Sequence, residues 1–302
     1  MTEALGETMA EKTVIALGFF DGVHIGHGAL LRRTAERAKE LSAAPAAFTF
    51  DRAPKEFVTG VGVPLLTSVE ERRALIRTLY GIDTTFVAPF DHAMMTMPWD
   101  AFLAGQLVDR YHAVHLVAGH DYRFGYRNEG TPERLRDWCA AHGVGCDVIP
   151  KVELDGVTVS STHVRELVEA GDMPAAAAFL GHPCAVTGVV RHGKHIGTEE
   201  LFPTVNLIPE PWRVLPRFGV YAVRVVLPDG RAYAGVTNVG IRPTIVDDNR
   251  VTIETYLVDF DGDLYDTEIR IEFLRYLRGE KKFESMAALH RQIEEDIARA
   301  RE

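Results

Sequence analysis

The sequence predicts an α/β architecture in two parts. A parallel-sheet domain with helices on both faces comes first, and an antiparallel β-barrel or sandwich closed by a C-terminal helix follows. Three observations predict it. The chain has 302 residues, more than one typical domain. Strand and helix signals alternate through its first half, the pattern of a mostly parallel sheet. From Cys184 onward strand signals follow one another closely, with turn pairs between them, as in antiparallel barrels.

Taken in order, Thr13–Leu17 is a short run of strand formers after a tail at residues 1–12. Leu30, Leu31, Ala35, Ala38 and Leu41 recur at helical spacing. Ala46–Phe50 reads as a strand, Val69–Leu79 as a helix and Thr84–Ala88 as a strand. Asp100–Tyr111 reads as a helix, Val114–Ala118 as a strand, Pro132–His142 as a helix and Cys146–Ile149 as a strand. A boundary falls near Gly181–Pro183, after the alanine-rich helix Pro174–Leu180, which gives domains 13–183 and 184–302. Beyond it, strands are expected at Ala185–Arg191, Gly219–Leu227, Arg231–Asn238, Arg250–Phe260 and Glu268–Leu274. P-D-G at Pro228–Gly230 and D-G-D at Asp261–Asp263 mark turns, and a charged helix over Ser285–Arg301 closes the chain.

Composition excludes several classes. Apolar residues at 46% and charged residues at 25% are those of a globular chain able to bury a core. A net charge of -10 makes general nucleic-acid binding unfavourable, although a local nucleotide site is compatible with it. Three cysteines with no C-x-x-C spacing argue against a disulfide framework and for a reducing cytoplasm. The acidic N-terminus is not a signal peptide, and no stretch has the length and apolarity of a transmembrane helix. His92, His112, His115 and His142 show no metal-ligand spacing.

The most informative stretch is G-F-F-D-G-V-H-I-G-H-G, Gly18 to Gly28. It lies between the first strand and the first helix. One reading is a turn that carries histidines. The other is a phosphate cradle, in which glycines admit close backbone approach and a helix start offers unpaired N–H groups and a positive dipole end. His24 and His27 at that mouth would donate to phosphoryl oxygens and offset charge as a bond to pyrophosphate breaks. Downstream, S-S-T-H-V-R at Ser160–Arg165 reads as the N-cap of a short helix ending before Gly171, or as a second phosphate contact with Arg165 one turn in.

The two stretches together resemble the signatures of the nucleotidyltransferases that make dinucleotide cofactors. Within them, the chain looks like the prokaryotic bifunctional riboflavin kinase/FAD synthetase family. G-H-D-Y-R-F-G at Gly119–Gly125, F-P-T-V-N at Phe202–Asn206 and N-V-G-I-R-P-T at Asn238–Thr244 are similar to that family's motifs. So are I-E-T-Y-L-V-D-F at Ile253–Phe260 and L-R-G-E-K-K-F at Leu277–Phe283, all in the family's order. The resemblance implies a nucleotidyltransferase-type, Rossmann-like domain joined to a riboflavin-kinase barrel. It implies phosphorylation of riboflavin to FMN, then transfer of AMP from ATP to FMN, giving FAD and pyrophosphate, with Mg2+ accompanying ATP.

Residue roles follow from the same resemblance. His24 and His27 would act on the ATP phosphates, with Gly18, Phe20, Asp21, Gly22 and Gly26 shaping that site. Ser160, Ser161, Thr162 and Arg165 would hold phosphate from the other side. Asp121 and Phe124 would line the flavin pocket, with a turn aspartate and a packing phenylalanine as the alternatives. In the second domain Gly193, Gly197, Pro203, Asn238, Arg242, Arg278 and Glu280 would contact ATP or flavin. Thr204 and Asn206 carry oxygens suited to magnesium, and their spacing puts both on one face of an extended segment. Glu254 shares its strand face with Thr252, Tyr256, Val258 and Phe260, where a carboxylate is costly unless paired or used. The resemblance makes it the kinase base, with a surface ion pair as the alternative.

Departures from the family pattern bear on activity. The kinase ATP loop, usually G-R-x-L-G-F-P-T-A-N, reads G-T-E-E-L-F-P-T-V-N from Gly197. Thr198 replaces an arginine, and Glu200 and Leu201 replace leucine and glycine. F-D-R-A-P at Phe50–Pro54 stands for F-D-P-H-P. Arg127 stands one place before the usual arginine. One alternative is therefore a paralogue with a weak or lost kinase, or with a changed flavin or nucleotide substrate. Others are a nucleotidyltransferase for another phosphorylated substrate and a non-catalytic flavin or nucleotide regulator. Oligomerisation is compatible with the sequence.

Overall fold

The computed structural model describes residues 11–191, 204–241 and 250–301. They divide into two compact units. One holds the chain up to Val63 together with Thr67–Ser160, and the other holds Pro64–Leu66 and the chain from Ser161 onward.

In the first unit, β1 (Thr13–Leu17), α1 (Ile25–Leu41) and β2 (Ala44–Phe50) are followed by α2 (Pro54–Thr59), α3 (Val69–Tyr80) and β3 (Thr84–Ala88). Then come α4 (His92–Thr96), α5 (Trp99–Ala101), a wider-wound π-helix over Phe102–Arg110, β4 (Ala113–Gly119), α6 (Pro132–Ala141) and β5 (Gly145–Ile149). The strands form a parallel sheet in the order β3-β2-β1-β4-β5. Successive residues of β1 serve opposite faces. Ile15 and Leu17 join Phe48, Leu116, Leu103 and Leu135 in one core, while Val14 and Ala16 join Leu30, Leu31 and Ile76 in the other. Both faces are thus covered, as a parallel sheet requires. Each fully buried Leu or Ile contributes about 1.5–3 kcal/mol by leaving water.

Local signals end the elements. Ser68 and Glu71 form a reciprocal capping box at the start of α3, and Gly81 stops it at φ 66°. Past β5, β6 (Glu153–Leu154) and β7 (Val157–Thr158) form a small hairpin. Its turn residues Asp155 and Gly156 both lie at positive φ, which is what an Asp-Gly pair supplies.

The second unit contains α7 (Ser161–Ala170), α8 (Met173–Leu180), β8 (Cys184–Val189), β9 (Thr204–Leu207), β10 (Gly219–Val226), β11 (Ala232–Ile241), β12 (Val251–Leu257), β13 (Glu268–Arg278) and α9 (Met286–Arg301). The sheet order is β8-β13-β10-β11-β12-β9, antiparallel throughout. It curls until its two edges meet, where the Arg191 amide just past β8 donates to the Asn206 carbonyl of β9 at 2.9 Å. α9 packs Ile297 and Ala300 on Val220, Ala222, Val236 and Leu277. The expected parallel domain followed by an antiparallel barrel with a closing helix is therefore the observed architecture.

Sequence patterning left out β9, α2, α4 and the β6–β7 hairpin. β9 has four residues, too few for a period to show. Its strand conformation comes from pairing with β12. Strand β13 runs four residues past the expected end at Leu274, because Arg275, Tyr276 and Arg278 pair with β10 across two irregularities in register.

Candidate active sites

The strand order reverses direction between β1 and β4, so the crevice beyond their carboxyl ends is where a parallel sheet places ligands. The loop after β1 is the G-F-F-D-G-V-H turn, and the loop after β4 begins at Gly119. The Gly18–Gly28 and Gly119–Gly125 stretches therefore flank the crevice.

The turn after β1 is strained. Phe20 has φ 57°, Gly22 78° and Val23 43°, so two residues with side chains sit in the left-handed region, at about 1–2 kcal/mol each. Hydrogen bonds and packing hold it there. The Asp21 carboxylate, 1% exposed, accepts from the Thr67 amide at 3.1 Å and its hydroxyl at 3.2 Å. The Gly22 amide donates to the Thr67 hydroxyl at 2.9 Å. Phe20 is fully buried, and a Cβ on Gly18 would press on its ring at 2.9 Å. A Cβ on Gly26 would lie 3.1 Å from the His24 ring. Gly18 and Gly26 thus make room for the neighbouring rings.

The two histidines are organised by the start of α1. His24 is the N-cap residue, and its Nδ1 accepts from the His27 amide at 3.2 Å. An accepting nitrogen is unprotonated, which puts the proton of the neutral His24 ring on Nε2. The His27 ring stacks on it with centroids 3.6 Å apart and planes 10° from parallel, and meets Phe20 edge-on at 5.2 Å. Burial first, then the neighbouring His24 and Arg72, hold His27 well below the usual imidazole pKa. Its Nδ1 is buried and has no hydrogen-bond partner among the described residues. The amides of Ile25 and Gly26 are the remaining helix-start donors. Neutral imidazole N–H groups and helix-start amides make a donor set for phosphoryl oxygens.

Other expected residues fall as follows. Ser160 ends the first unit, while Ser161, Thr162 and Arg165 lie in the opening turns of α7, as the helix-start reading requires. Asp121 is exposed, with His120 Nδ1 at 3.9 Å. Phe124 is 6% exposed and packs with Tyr122, Trp99 and Phe102, so its ring belongs to the core. Burial raises the Tyr122 phenol far above its ordinary value. Arg52, the departure after β2, is exposed and lies 6.0 Å from the Phe57 ring centroid.

In the second unit, strand register assembles residues that are far apart in sequence. Asn206 on β9 is opposite Glu254 on β12, which is opposite Asn238 on β11. Directly opposed residues share a face. Thr204 stands two places along, opposite Tyr256, on that same face. Glu280 joins the row by accepting from Asn238 Nδ2 at 3.3 Å, and the Thr252 hydroxyl donates to Glu254 at 3.5 Å. Thr204 and Asn206 offer hard oxygens that fit a magnesium–nucleotide complex, with the Glu254 carboxylate in the same row. Among the described residues no cluster of His, Cys, Asp or Glu forms a self-sufficient metal cage. Arg278 is committed elsewhere: it pairs with the buried Asp296 of α9 at 2.7 Å and lies over Phe283. Gly193, Gly197, Pro203, Arg242 and the Thr198–Leu201 variation lie outside the described residues.

Sequence reasoning missed Thr67, Thr49 and Arg72, which brace the turn after β1. Arg72 stands three and four places before Leu75 and Ile76, on the buried face of α3, while the adjacent Arg73 is on the solvent side; helical spacing was the signal that could have found it.

Both halves of the chain match known families. The FAD synthetase family model matches residues 6–163, and the riboflavin kinase family model matches residues 180–302. The bifunctional riboflavin kinase/FMN adenylyltransferase of Pseudomonas fluorescens is 36% identical over 95% of this chain and 92% of its own length. The Escherichia coli K12 protein of the same description is 32% identical over 99% and 95%. A solved structure described as a macrolide-efflux protein from Streptococcus pneumoniae superposes with a TM-score of 0.86 at 26% identity, covering 99% of this chain and 96% of that one. In this chain, among the described residues, no helix is long and apolar enough to cross a membrane. With both domain families present in order and curated relatives matching along nearly the whole length, the chain belongs to the bifunctional riboflavin kinase/FMN adenylyltransferase family.

Proposed function

We infer that the chain catalyses two consecutive steps of FAD biosynthesis. The second unit phosphorylates riboflavin with ATP to give FMN and ADP. The first transfers AMP from ATP to FMN, giving FAD and pyrophosphate. The observation that carries the second step is the stacked His24–His27 pair at the start of α1, beyond the end of β1. An FMN phosphate oxygen attacks the α-phosphorus of ATP as the bond to pyrophosphate breaks. The histidine N–H groups, with the amides of Ile25 and Gly26, receive the charge that builds on the departing oxygens. Positioning the two substrates supplies much of the remaining rate, and no side chain forms a covalent intermediate. Ser160, Ser161, Thr162 and Arg165 are proposed as further phosphate contacts, and Asp121 as a flavin or nucleotide contact.

For the kinase step, Glu254 takes the proton of the riboflavin hydroxyl as that oxygen attacks the γ-phosphorus. Asn238 and Glu280 orient substrate beside it. Thr204 and Asn206 would hold Mg2+, which when bound neutralises phosphate charge. The proposed functional division is 13–183 and 184–302; one family match ends at 163 and the other begins at 180. A cytoplasmic location accords with the use of ATP and with a sparse, odd set of three cysteines.

The test is chromatographic product analysis of the full chain with ATP and Mg2+, starting separately from riboflavin and from FMN. FAD from both is expected. FAD from FMN alone would mean that the T-E-E-L loop has silenced the kinase, and FAD from neither would overturn the assignment.

A further inference from the structure

Arg72 is 1% exposed although it is charged. Its Nη1 donates to the Phe19 carbonyl at 2.7 Å, to the Thr49 hydroxyl at 3.1 Å and to the Phe50 carbonyl at 3.4 Å, and its Nε donates to the Ser68 carbonyl at 3.3 Å. Its guanidinium lies 4.4 Å from the Phe19 ring centroid. Phe19 belongs to the strained turn that leads to His24, and Phe50 ends β2. The Thr49 hydroxyl donates to the same Phe19 carbonyl at 2.9 Å, so that one oxygen is gripped from two elements. Burial pulls the arginine below its ordinary pKa, and the fields of Asp21, Glu70 and Asp51 oppose this.

A buried guanidinium is costly unless its donors are used. Here they tie the Phe19 carbonyl, on the backbone that leads to the histidines, to Thr49 and Phe50 at the end of β2. We propose that Arg72 is a positioning residue for adenylyl transfer: it fastens the Phe19–Val23 turn to the end of β2 and so sets where the His24–His27 pair meets the nucleotide phosphates. It touches no reacting atom. The proposal rests on the assignment of adenylyl transfer to the first unit.

The test uses full-length protein with Arg72→Met and Arg72→Lys, measuring FAD formation from FMN and, in the same preparations, FMN formation from riboflavin. Arg72→Met is expected to lower kcat for FAD formation about 10²-fold, the effect of a misplacement near 1 Å. KM for FMN and ATP should stay within about threefold, as for a contact that matters only in the transition state. Riboflavin phosphorylation should be unchanged, and Arg72→Lys should recover part of kcat. Should Arg72→Met fail to fold, Thr49→Val serves instead, with kcat lowered several-fold at constant KM. An unchanged kcat, a loss confined to KM, or parallel loss of both activities overturns the positioning role. Failure of the unsubstituted chain to form FAD from FMN overturns the underlying assignment instead, and needs no variant to see.

Discussion

His24 and His27 stack face to face, 3.6 Å between ring centroids, while the His24 Nδ1 caps the His27 amide. Two positive charges about 4 Å apart repel by about 4 kcal/mol at an effective dielectric of 20. The pair therefore resists a second proton, and burial and Arg72 add to that resistance at His27. His27 is expected to titrate well below its ordinary value, near 6.5. Its stabilising contribution has a definite sign. Above that value both folded and unfolded states are neutral and the contribution is complete. As pH falls below it, the unfolded chain takes a proton that folded His27 refuses, and stability declines. Histidine NMR titration checks this, and a midpoint at or above the ordinary value defeats it.

On the proposed assignment, His24→Ala and His27→Ala each remove an imidazole donor from the adenylyl-transfer site. Loss of one such donor costs about 10²–10³ in kcat. FAD formation from FMN should fall by that factor, and riboflavin phosphorylation should persist, because Glu254 and its neighbours lie in the other unit. Equal loss of both activities would contradict the division of labour.

Gly22 holds φ 78° between two other left-handed residues. Gly22→Ala adds about 1–2 kcal/mol of strain. A lower urea midpoint and slower FAD formation are expected together. An alanine variant as stable and active as the parent would show that the turn relaxes freely.

Glu254→Gln keeps the shape of the side chain but not its basicity. FMN formation from riboflavin should drop by about 10²–10⁴, the usual worth of a general base. FAD formation from supplied FMN should be unaffected. Retained phosphorylation would remove Glu254 from the catalytic role.

Asp296 is 1% exposed and pairs with Arg278. Asp296→Ala leaves that guanidinium uncompensated and should destabilise the second unit by about 3 kcal/mol. Denaturant unfolding reads the loss. A shift below about 0.5 kcal/mol would mean that solvent satisfies Arg278.

The sequence by itself determined most strands and helices of the first half, α2, α4 and the β6–β7 hairpin apart, and it placed H-I-G-H between a strand and a helix. Both are local properties. Apolar period reports which face a segment can bury, and a glycine-flanked histidine pair after a strand needs no distant residue to be recognised. The start of α7 at Ser161 was legible for the same reason, since capping chemistry is local. Helical spacing puts Arg72 on the face of Leu75 and Ile76, but the tertiary structure alone decided that the Phe19 and Phe50 carbonyls would meet its guanidinium there. It alone put Asn206, Glu254 and Asn238 in one row, because strand register is set by pairing across the sheet. It also spent Phe124 on the core and Arg278 on Asp296, two side chains whose motifs suggested ligands. A short segment shows what it can bury. What it meets depends on distant chain, as Arg72 meets Phe19 across 53 residues, and that partner decides whether a polar group serves a ligand or the fold.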